Sequence, residues 1–252
     1  MARYNRNFKG AKMSNIIIFG ASRGLGAAFA TGLPKKGDNV WLVSRKKPLF
    51  LEETLEFVNF NWIQADLTEA SAASTISKAV GSQPIDLLLY NAGIWESKAF
   101  TNEYDFESID PLENHRVLTV NLSAAIDCIQ MLLPNVRKAE HGKIVVIGST
   151  SGVENVGGQE VAYSASKFGV RGLVHALREI TRPDGISVTC INPGTIATEI
   201  KLEDESEQLK DYDGRWGLPV GDLVKLVETL MALSPFSCVK EITIPAINDT
   251  HA

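Results

Sequence analysis

The sequence predicts an α/β fold: a single domain with a doubly wound parallel sheet of about seven strands and helices on both of its faces. The run Asn15–Phe19 is continuous, apolar and β-branched, which is typical of a strand buried on both faces. Glycines and a helix-like stretch follow it, and strand-like and helix-like segments alternate along the chain. A chain of 252 residues with 44% hydrophobic content can bury one substantial core, and no linker divides it.

The ends and the composition of the chain narrow the possible functions. Residues 1–12 are basic with little pattern, so we expect either a flexible leader or a true start at Met13, followed by one domain over 13–252. The formal net charge is −5 without a basic stripe, which argues against a nucleic-acid or membrane-surface role. No run reaches the ~18 apolar residues of a membrane span.

The cysteines and histidines give no sign of disulfides or metal ligands. Cys128, Cys190 and Cys238 are widely spaced in apolar settings, so we expect small buried residues. The four histidines show no ligand spacing, so no metal site is predicted. This content suits a reducing, cytoplasmic environment.

A glycine-rich turn, Gly20-Ala21-Ser22-Arg23-Gly24-Leu25-Gly26, joins the first strand to the following helix. Backbone N–H groups there can approach a pyrophosphate at the positive end of the helix dipole, and a Cβ at any of the three glycines would obstruct that approach. A P-loop would also need Gly-Lys-Ser/Thr, which is absent from this turn. The order of strand, turn and helix therefore predicts a Rossmann-like dinucleotide site.

The end of the second strand indicates which dinucleotide binds. Val40–Val43 runs into Ser44 and Arg45, where an adenosine ribose would lie, and no carboxylate follows this strand. Arg45, with Arg23 of the glycine turn, can bind a 2′-phosphate through charge-assisted hydrogen bonds. NADP(H) is therefore favoured over NAD(H), unless these residues are only a solvated basic turn.

Tyr163 and Lys167 are four residues apart in a helix-like stretch, which places a phenol beside an ammonium. An ordinary tyrosine pKa is ~10, so proton exchange near pH 7 needs roughly 4 kcal/mol of differential stabilisation. We expect Lys167 and a bound cationic cofactor to lower the pKa of Tyr163. Taken alone, the same spacing also fits a solvated surface pair.

With these motifs in place, the sequence resembles the short-chain dehydrogenase/reductase family in its compact subtype, along nearly the whole chain. Further matching motifs follow in the family's order: Asp66-Leu67, Asn91-Ala92-Gly93, Asn121, Ser149, and the run from Pro193 to Thr198.

Each of these motifs can bind a cofactor or a water molecule, and two of them also have a purely structural interpretation. Asp66 can accept a hydrogen bond from an adenine amino group, although an Asp before Thr68 is also an ordinary helix cap. The small residues of Asn91-Ala92-Gly93 let the backbone approach a ribose. Asn121 can simply satisfy a neighbouring backbone group, whereas the resemblance implies that it holds a water linked to Lys167.

The catalytic hydroxyl has two candidates. The family's usual spacing of thirteen, counted back from Tyr163, arrives at Thr150, whereas the strand end and Gly152 select Ser149. We choose Ser149, because a loop before the tyrosine absorbs one extra residue more easily than a strand does.

The resemblance implies reversible hydride transfer between NADP(H) and a carbonyl or alcohol carbon. Ser149 and Tyr163 would act on the substrate oxygen, Lys167 would hold the nicotinamide ribose, and Asn121 would complete the catalytic set. The predicted cofactor-binding residues are Gly20, Ser22, Arg23, Gly24, Leu25, Gly26, Ser44, Arg45, Asp66, Leu67, Asn91, Ala92, Gly93, Tyr163, Lys167, Pro193, Gly194, Ile196 and Thr198.

The substrate pocket is expected to involve a flap over about 199–217, where the family places its variable segment. The predicted pocket residues are Trp95, Thr150, Ser151, Tyr212 and Trp216.

Two other functions are possible for a protein with a dinucleotide-binding fold. An epimerase or dehydratase acting on a nucleotide sugar would need a longer substrate domain after Thr198. A redox-inactive NADP-sensing protein would not need to keep a proton donor. The resemblance also implies a homo-dimer or tetramer through the Tyr163 helix, which carries a stripe of small residues: Ala165, Gly169, Gly172 and Ala176.

Overall fold

The computed structural model describes residues 13–52, 57–154, 157–205 and 217–249. The basic leader, Tyr212 and Trp216 lie outside this part of the chain.

The described residues form a seven-stranded sheet in which every neighbouring pair is parallel. The strands are β1 Asn15–Phe19, β2 Asn39–Ser44, β3 Asn59–Gln64, β4 Leu87–Tyr90, β5 Lys143–Ile147, β6 Ser187–Pro193 and β7 Glu241–Ile244. Their order in the sheet is β3-β2-β1-β4-β5-β6-β7, so β2 and β3 are added on one side of β1 and β4 to β7 on the other. This arrangement confirms the fold class predicted from the sequence.

Helices cover both faces of the sheet. They are α1 Gly24–Gly32, α2 Ala72–Val80, α3 Pro111–Leu118, α4 Ala124–Val136, α5 Val161–Thr181 and α6 Val220–Ala232. Residues of α1 and α6 pack with alternate residues of β1 and β2 in one apolar core. Residues of α2, α4 and α5 pack with the other set in a second core. The strands thus carry apolar side chains on both faces, as their continuous hydrophobic runs predict.

A π-helical turn, Thr119–Ser123, joins α3 to α4 and contains Asn121. Asp110 caps α3 by accepting a hydrogen bond from Leu112 N at 2.9 Å, and Pro111 is the first helical residue. Single π-helical turns are rare and recur at functional sites. From this turn, Asn121 Nδ2 donates a hydrogen bond to Ser166 Oγ of α5, the helix of Tyr163, at 3.0 Å.

The combined helix Pro111–Val136 is long and apolar, although its apolar residues do not form one continuous run. It has 26 residues and an 18-residue window of mean hydropathy 1.5, so its length and composition would allow it to cross a membrane. Half of that window is buried inside the protein. Its apolar side chains, including Ala125, Cys128 and Leu132, belong to the core beside β4, which identifies a core helix.

The cysteines also differ from expectation at one position. Cys128 and Cys190 are buried, and burial raises their pKa values to about 12 and about 11. Cys238 is exposed instead, because it follows the loop after α6 and does not point into either core.

Two glycines of the small-residue stripe on α5 differ in their surroundings: Gly169 is packed against another segment, and Gly172 faces open space. A Cβ on Gly169 would lie 2.5 Å from Leu122 Cδ2, so this glycine packs within the subunit. A Cβ on Gly172 would meet no atom within 4 Å.

Gly26 and Gly172 provide a matched test of close packing. We expect Gly26→Ala to lower the free energy of unfolding by about 1 to 3 kcal/mol, because its Cβ would lie 2.0 Å from Gly20 O and 2.8 Å from Asn91 Nδ2. Gly172→Ala should stabilise the helix by up to about 1 kcal/mol. Urea unfolding of both variants measures this difference, and equal effects would contradict the packing.

Candidate active site

A cleft of about 600 Å³ lies at the carboxyl ends of the strands, at the point between β1 and β4 where the strand order reverses. Every predicted cofactor-binding residue lines it, and so does Trp95. Asn121, Ser149, Thr150 and Ser151 are not among its lining residues. The structure thus brings the separate sequence motifs together, while their cofactor contacts stay a prediction.

The glycine turn forms a cradle that fits a dinucleotide phosphate. Gly20 has a φ of +75°, and a Cβ there would lie 2.9 Å from Ala92 Cα. A Cβ on Gly26 would overlap Gly20 O, so the turn and the helix approach as closely as a glycine allows. Helix α1 begins after Arg23, whose side chain makes no capping hydrogen bond. Its first N–H groups therefore face the cleft and suit an anion.

The side chains around the expected adenosine ribose differ in whether their polar groups are free to bind a phosphate or already have hydrogen-bond partners. Arg23 and Arg45 are exposed side chains that line the cleft. Ser44 is buried, and its hydroxyl donates to Lys46 O at 2.7 Å while accepting from Trp62 Nε1 at 3.1 Å. The two arginines can thus meet a phosphate directly, whereas the Ser44 hydroxyl must first give up its local partner.

Asp66 forms hydrogen bonds with Thr68, as expected if it is an ordinary cap residue. Its Oδ1 accepts hydrogen bonds from Thr68 N at 3.0 Å and from Thr68 Oγ1 at 2.8 Å. The Thr68 backbone bond is the main cause that lowers the pKa of Asp66, with help from the charges of Arg45 and Arg116. Asp66 is therefore an ionised turn residue on the cleft wall, and adenine binding stays a prediction.

The phenol of Tyr163 has Ser149 and Lys167 as neighbours. Burial raises the pKa of Tyr163, and a hydrogen bond with the Ser149 side chain partly opposes that effect. Lys167 Nζ lies 5.5 Å from the centre of the Tyr163 ring and donates to Ile147 O at 3.1 Å. The two side chains thus share one end of the cleft, as the spacing of four predicts.

In the protein without cofactor, the pKa of Tyr163 shifts in the direction opposite to the one expected when a cationic cofactor is bound. Burial in a poorly solvated site favours neutral forms, so it raises the pKa of a phenol and lowers that of an amine. Burial accordingly lowers the pKa of Lys167 to about 8. Lys167 still carries most of its charge at pH 7, but in the protein alone it does not outweigh the burial of the phenol.

Ser149, and not Thr150, is the hydroxyl beside the phenol. Ser149 precedes the short helical turn Thr150–Gly152, and its Oγ also accepts from Ser151 N at 3.2 Å. Thr150 is equally buried but belongs to the turn itself. This geometry favours the choice made from the strand end over the count of thirteen.

Asn121 is held by two neighbouring segments. Its Oδ1 accepts from Ile94 N, and its Nδ2 donates to Ile94 O, both at 2.8 Å, while a third bond reaches Ser166 Oγ at 3.0 Å. Asn121 therefore satisfies backbone groups, as one interpretation predicts. A Cβ built on Gly93 would lie 3.6 Å from Lys167 Nζ and 3.7 Å from Asn121 Oδ1, so the two groups flank the same small space. The water link across that space stays a prediction.

Glu96 positions the Tyr163 helix, a role that the sequence does not indicate. Glu96 is 1% exposed, and its Oε1 accepts from Ala162 N at 2.7 Å and from Tyr163 N at 3.1 Å. Glu160, the residue at the start of α5, makes no capping bond itself. The carboxylate thus acts as the helix cap from 66 positions away. No local pattern marks such a contact.

Arg116 is a second residue that the sequence analysis missed. It lines the cleft together with Val120, one helical turn further along the chain. The spacing of four between them, just before Asn121, is the signal that could have identified this face.

Lys167 allows a test of the burial described above. Because its folded pKa is about 8 and its ordinary value is 10.5, the unfolded chain binds more protons between these values. The contribution of Lys167 to stability should therefore rise by ~2 kcal/mol from pH 7 to pH 10. Urea unfolding of cofactor-free wild type and Lys167→Met across this range measures it. A stability difference that does not change with pH would contradict the burial.

The comparisons with known proteins agree with this architecture. A family model described as short chain dehydrogenase matches residues 14–209. Over 84% of its length the chain is 30% identical to L-rhamnose 1-dehydrogenase (NADP(+)) of Thermoplasma acidophilum, of which it covers 86%. It is 29% identical, over 82% of its length, to glycine betaine reductase ATRR of Emericella nidulans, but it spans only 16% of that protein.

Solved structures show the same fold. A 3-oxoacyl-[acyl-carrier protein] reductase with bound NAD from Brucella melitensis superposes with a TM-score of 0.76 at 24% identity, over 93% of this chain and 90% of that one. The seven parallel strands, the glycine cradle and the matched residues lead to one conclusion: the chain belongs to the short-chain dehydrogenase/reductase family, whose members are oxidoreductases that use a pyridine nucleotide.

Proposed function

We propose that the protein is an NADP(H)-dependent oxidoreductase that reversibly reduces a ketone or an aldehyde to an alcohol. The observation that carries this proposal is the meeting of the Ser149 hydroxyl, the Tyr163 phenol and the Lys167 amine beside a glycine cradle. Residues 13–252 would form one catalytic domain. A cytoplasmic location stays a prediction of the composition.

The chain's own groups would manage the charge on the substrate oxygen. NADPH, when bound, supplies the hydride. As negative charge grows on the oxygen, Ser149 donates a hydrogen bond to it and Tyr163 delivers the proton as general acid. The Ser149 side chain is close enough to the phenol to lower its pKa, so a carbonyl oxygen beside both groups could contact both. The reverse reaction uses the same groups with Tyr163 as base.

Lys167 and Asn121 would restore the proton that Tyr163 gives up. The Lys167 amine has a pKa lowered to about 8, so it can exchange a proton near neutral pH more readily than an ordinary lysine. Asn121 Oδ1 lies across the small space in front of Gly93 and would hold the connecting water. Lys167 would also bind the ribose hydroxyls, and the segment from Pro193 to Thr198 would orient the carboxamide.

NADP(H) is proposed over NAD(H) because of the charge at the end of β2. Arg45 and Arg23 line the cleft as exposed cations, and the Arg45 charge reaches far enough to affect Asp66. Similar proteins are described with either dinucleotide, so the preference depends on these two arginines.

A redox-inactive NADP-sensing protein is the second candidate. The burial of Ser149 and Lys167 around a half-buried Tyr163 argues against it, because a sensor gains nothing from a poorly solvated proton donor. NADPH fluorescence with a panel of ketones and aldehydes separates the two. Dinucleotide binding without oxidation of NADPH by any compound would favour the sensor.

Self-association is proposed through α4 and α5. Ile126 and Met131 of α4 and Phe168 of α5 are each more than 40% exposed, at 42%, 43% and 46%. Exposed large apolar side chains on two neighbouring helices are typical of an interface. We expect light scattering at micromolar concentration to give a dimer or tetramer, and a monomer would contradict the proposal.

Removing one phenolic oxygen tests the general acid. Tyr163→Phe should lower kcat by about three powers of ten, because no other described group at this position carries a transferable proton. The dissociation constant of NADPH should change little. Tyr104→Phe is the matched control, since Tyr104 bonds the start of α5 at Val161 N but does not line the cleft. Near-normal turnover of Tyr163→Phe in stopped-flow assays would exclude it as the acid.

Changing the charge at the end of β2 tests the cofactor preference. Ser44→Asp with Arg45→Ala should lower the ratio of kcat/KM for NADPH over NADH by about a hundredfold, because a charged hydrogen bond is lost and a carboxylate is gained. Lys47→Ala removes a nearby exposed cation outside the cleft and serves as the control. An unchanged ratio in the double variant would show that the phosphate is bound elsewhere.

A further inference from the structure

Two large aromatic side chains stand exposed beside the Tyr163 phenol. Trp95 and Phe100 are each 56% exposed, although both belong to a loop that closes one side of the site. Their rings contact each other edge to face at 5.8 Å between centroids. The Phe100 ring lies 5.3 Å from the Tyr163 ring at 90°, and the Trp95 ring lies 6.5 Å from it at 83°. The three rings form one aromatic wall next to the reactive oxygen.

The loop that carries these rings is fixed by buried or paired carboxylates. Ser97 Oγ donates to Glu113 Oε1 at 2.7 Å. Phe100 N donates to Glu160 Oε1 at 2.7 Å, and Glu160 is only 5% exposed. The exposure of the rings is therefore not a result of a loosely held loop, since their backbone is anchored on both sides.

The backbone of this loop is held in an unfavourable conformation. Lys98 and Phe100 have φ values of 59° and 63°, in the left-handed region that residues with a Cβ rarely adopt. Such strain persists where the surroundings enforce it, and it occurs preferentially at binding and active sites. The strained position of Phe100 is the one that directs its ring against Tyr163.

The charge around the aromatic wall disfavours an anionic ligand. The carboxylates of Glu160 and Glu96 both raise the pKa of Tyr163, so their negative potential reaches the phenol. A substrate carboxylate placed on the wall would meet this potential. Hydroxyl groups placed against the ring faces would lose their hydrogen bonds to water without gaining others.

We propose that Trp95 and Phe100 bind the organic part of the substrate, and that this substrate is a neutral carbonyl compound bearing an aromatic or similarly flat apolar group on its carbonyl carbon. This inference rests on the proposed function for the identity of the reacting carbonyl. The two exposed rings would cover the flat group from the side, edge to face, while the carbonyl oxygen lies against Tyr163 and Ser149. Binding would bury apolar surface that is exposed in the protein alone.

The experiment measures binding without turnover. Acetophenone is titrated into the protein saturated with NADP⁺, a complex in which no reduction occurs, and the dissociation constant is obtained by calorimetry. Phe100→Gly removes the ring and also relieves the left-handed backbone, so the variant is expected to fold. Trp95→Ala is the second variant. Phe236→Ala, which removes a 94% exposed ring outside this loop, is the matched control.

We expect the dissociation constant of acetophenone to rise about tenfold in Phe100→Gly and in Trp95→Ala, and to stay unchanged in Phe236→Ala. In NADPH assays of the wild type, kcat/KM should be at least about tenfold higher for acetophenone than for hydroxyacetone or 4-acetylbenzoate. The two loop variants should reduce the ratio of kcat/KM for acetophenone over hydroxyacetone by about tenfold.

The outcomes separate the two proposals. Acetophenone binding that Phe100→Gly weakens, together with no reduction of any carbonyl compound, would overturn the proposed function and leave the aromatic wall as a binding site. Reduction of hydroxyacetone or 4-acetylbenzoate with equal or higher kcat/KM, or an unchanged dissociation constant in both loop variants, would overturn the aromatic wall and leave the oxidoreductase in place.

Discussion

The burial of a phenol and an amine side by side is the constraint on which the rest of the site depends. Tyr163 and Lys167 lie one helical turn apart in α5, where burial raises the pKa of the first and lowers that of the second. Both groups are thus driven towards their neutral forms, which is unfavourable for a tyrosinate that must exist during turnover. A bound nicotinamide cation, added to the Ser149 hydrogen bond, would supply the missing stabilisation. The protein alone positions the side chains of the site, but it does not stabilise the tyrosinate.

The fold explains how this burial is achieved. Parallel strands deliver their carboxyl ends to one edge, so the glycine turn after β1, the loop after β4 and the turn after β5 converge beside α5. Lys167 is fixed by Ile147 O at the end of β5, and the start of α5 is fixed by Glu96 from the loop after β4. The same loop carries Trp95 and Phe100, so one segment both positions the phenol and exposes an apolar surface next to it.

Local patterns in the sequence predict the sheet, the helices and the cleft well. They do not predict features that depend on contacts between residues distant in sequence. Hydrophobic runs identify the strands, and Gly20 and Gly26 can be interpreted from what a Cβ would obstruct, because these are properties of a few neighbouring residues. The Glu96 cap joins residues 66 apart, and nothing near it in sequence indicates that partner. The raised pKa of Tyr163 in the protein alone could not be predicted from the sequence for the same reason, since burial depends on the whole fold. The left-handed Phe100 likewise donates its backbone N–H to Glu160, a residue 60 positions away.

The most direct measurement is the ionisation of Tyr163 itself, with and without the oxidised cofactor. Tyrosine labelled with ¹³C at Cζ reports this ionisation by NMR, and the spectrum of Tyr163→Phe assigns the signal. The account predicts a Tyr163 pKa above its ordinary value of 10.0 in the protein alone and a fall of several units when NADP⁺ is bound. A pKa that stays raised in the NADP⁺ complex would contradict the account, because the phenol could not then exchange protons with a substrate near neutral pH.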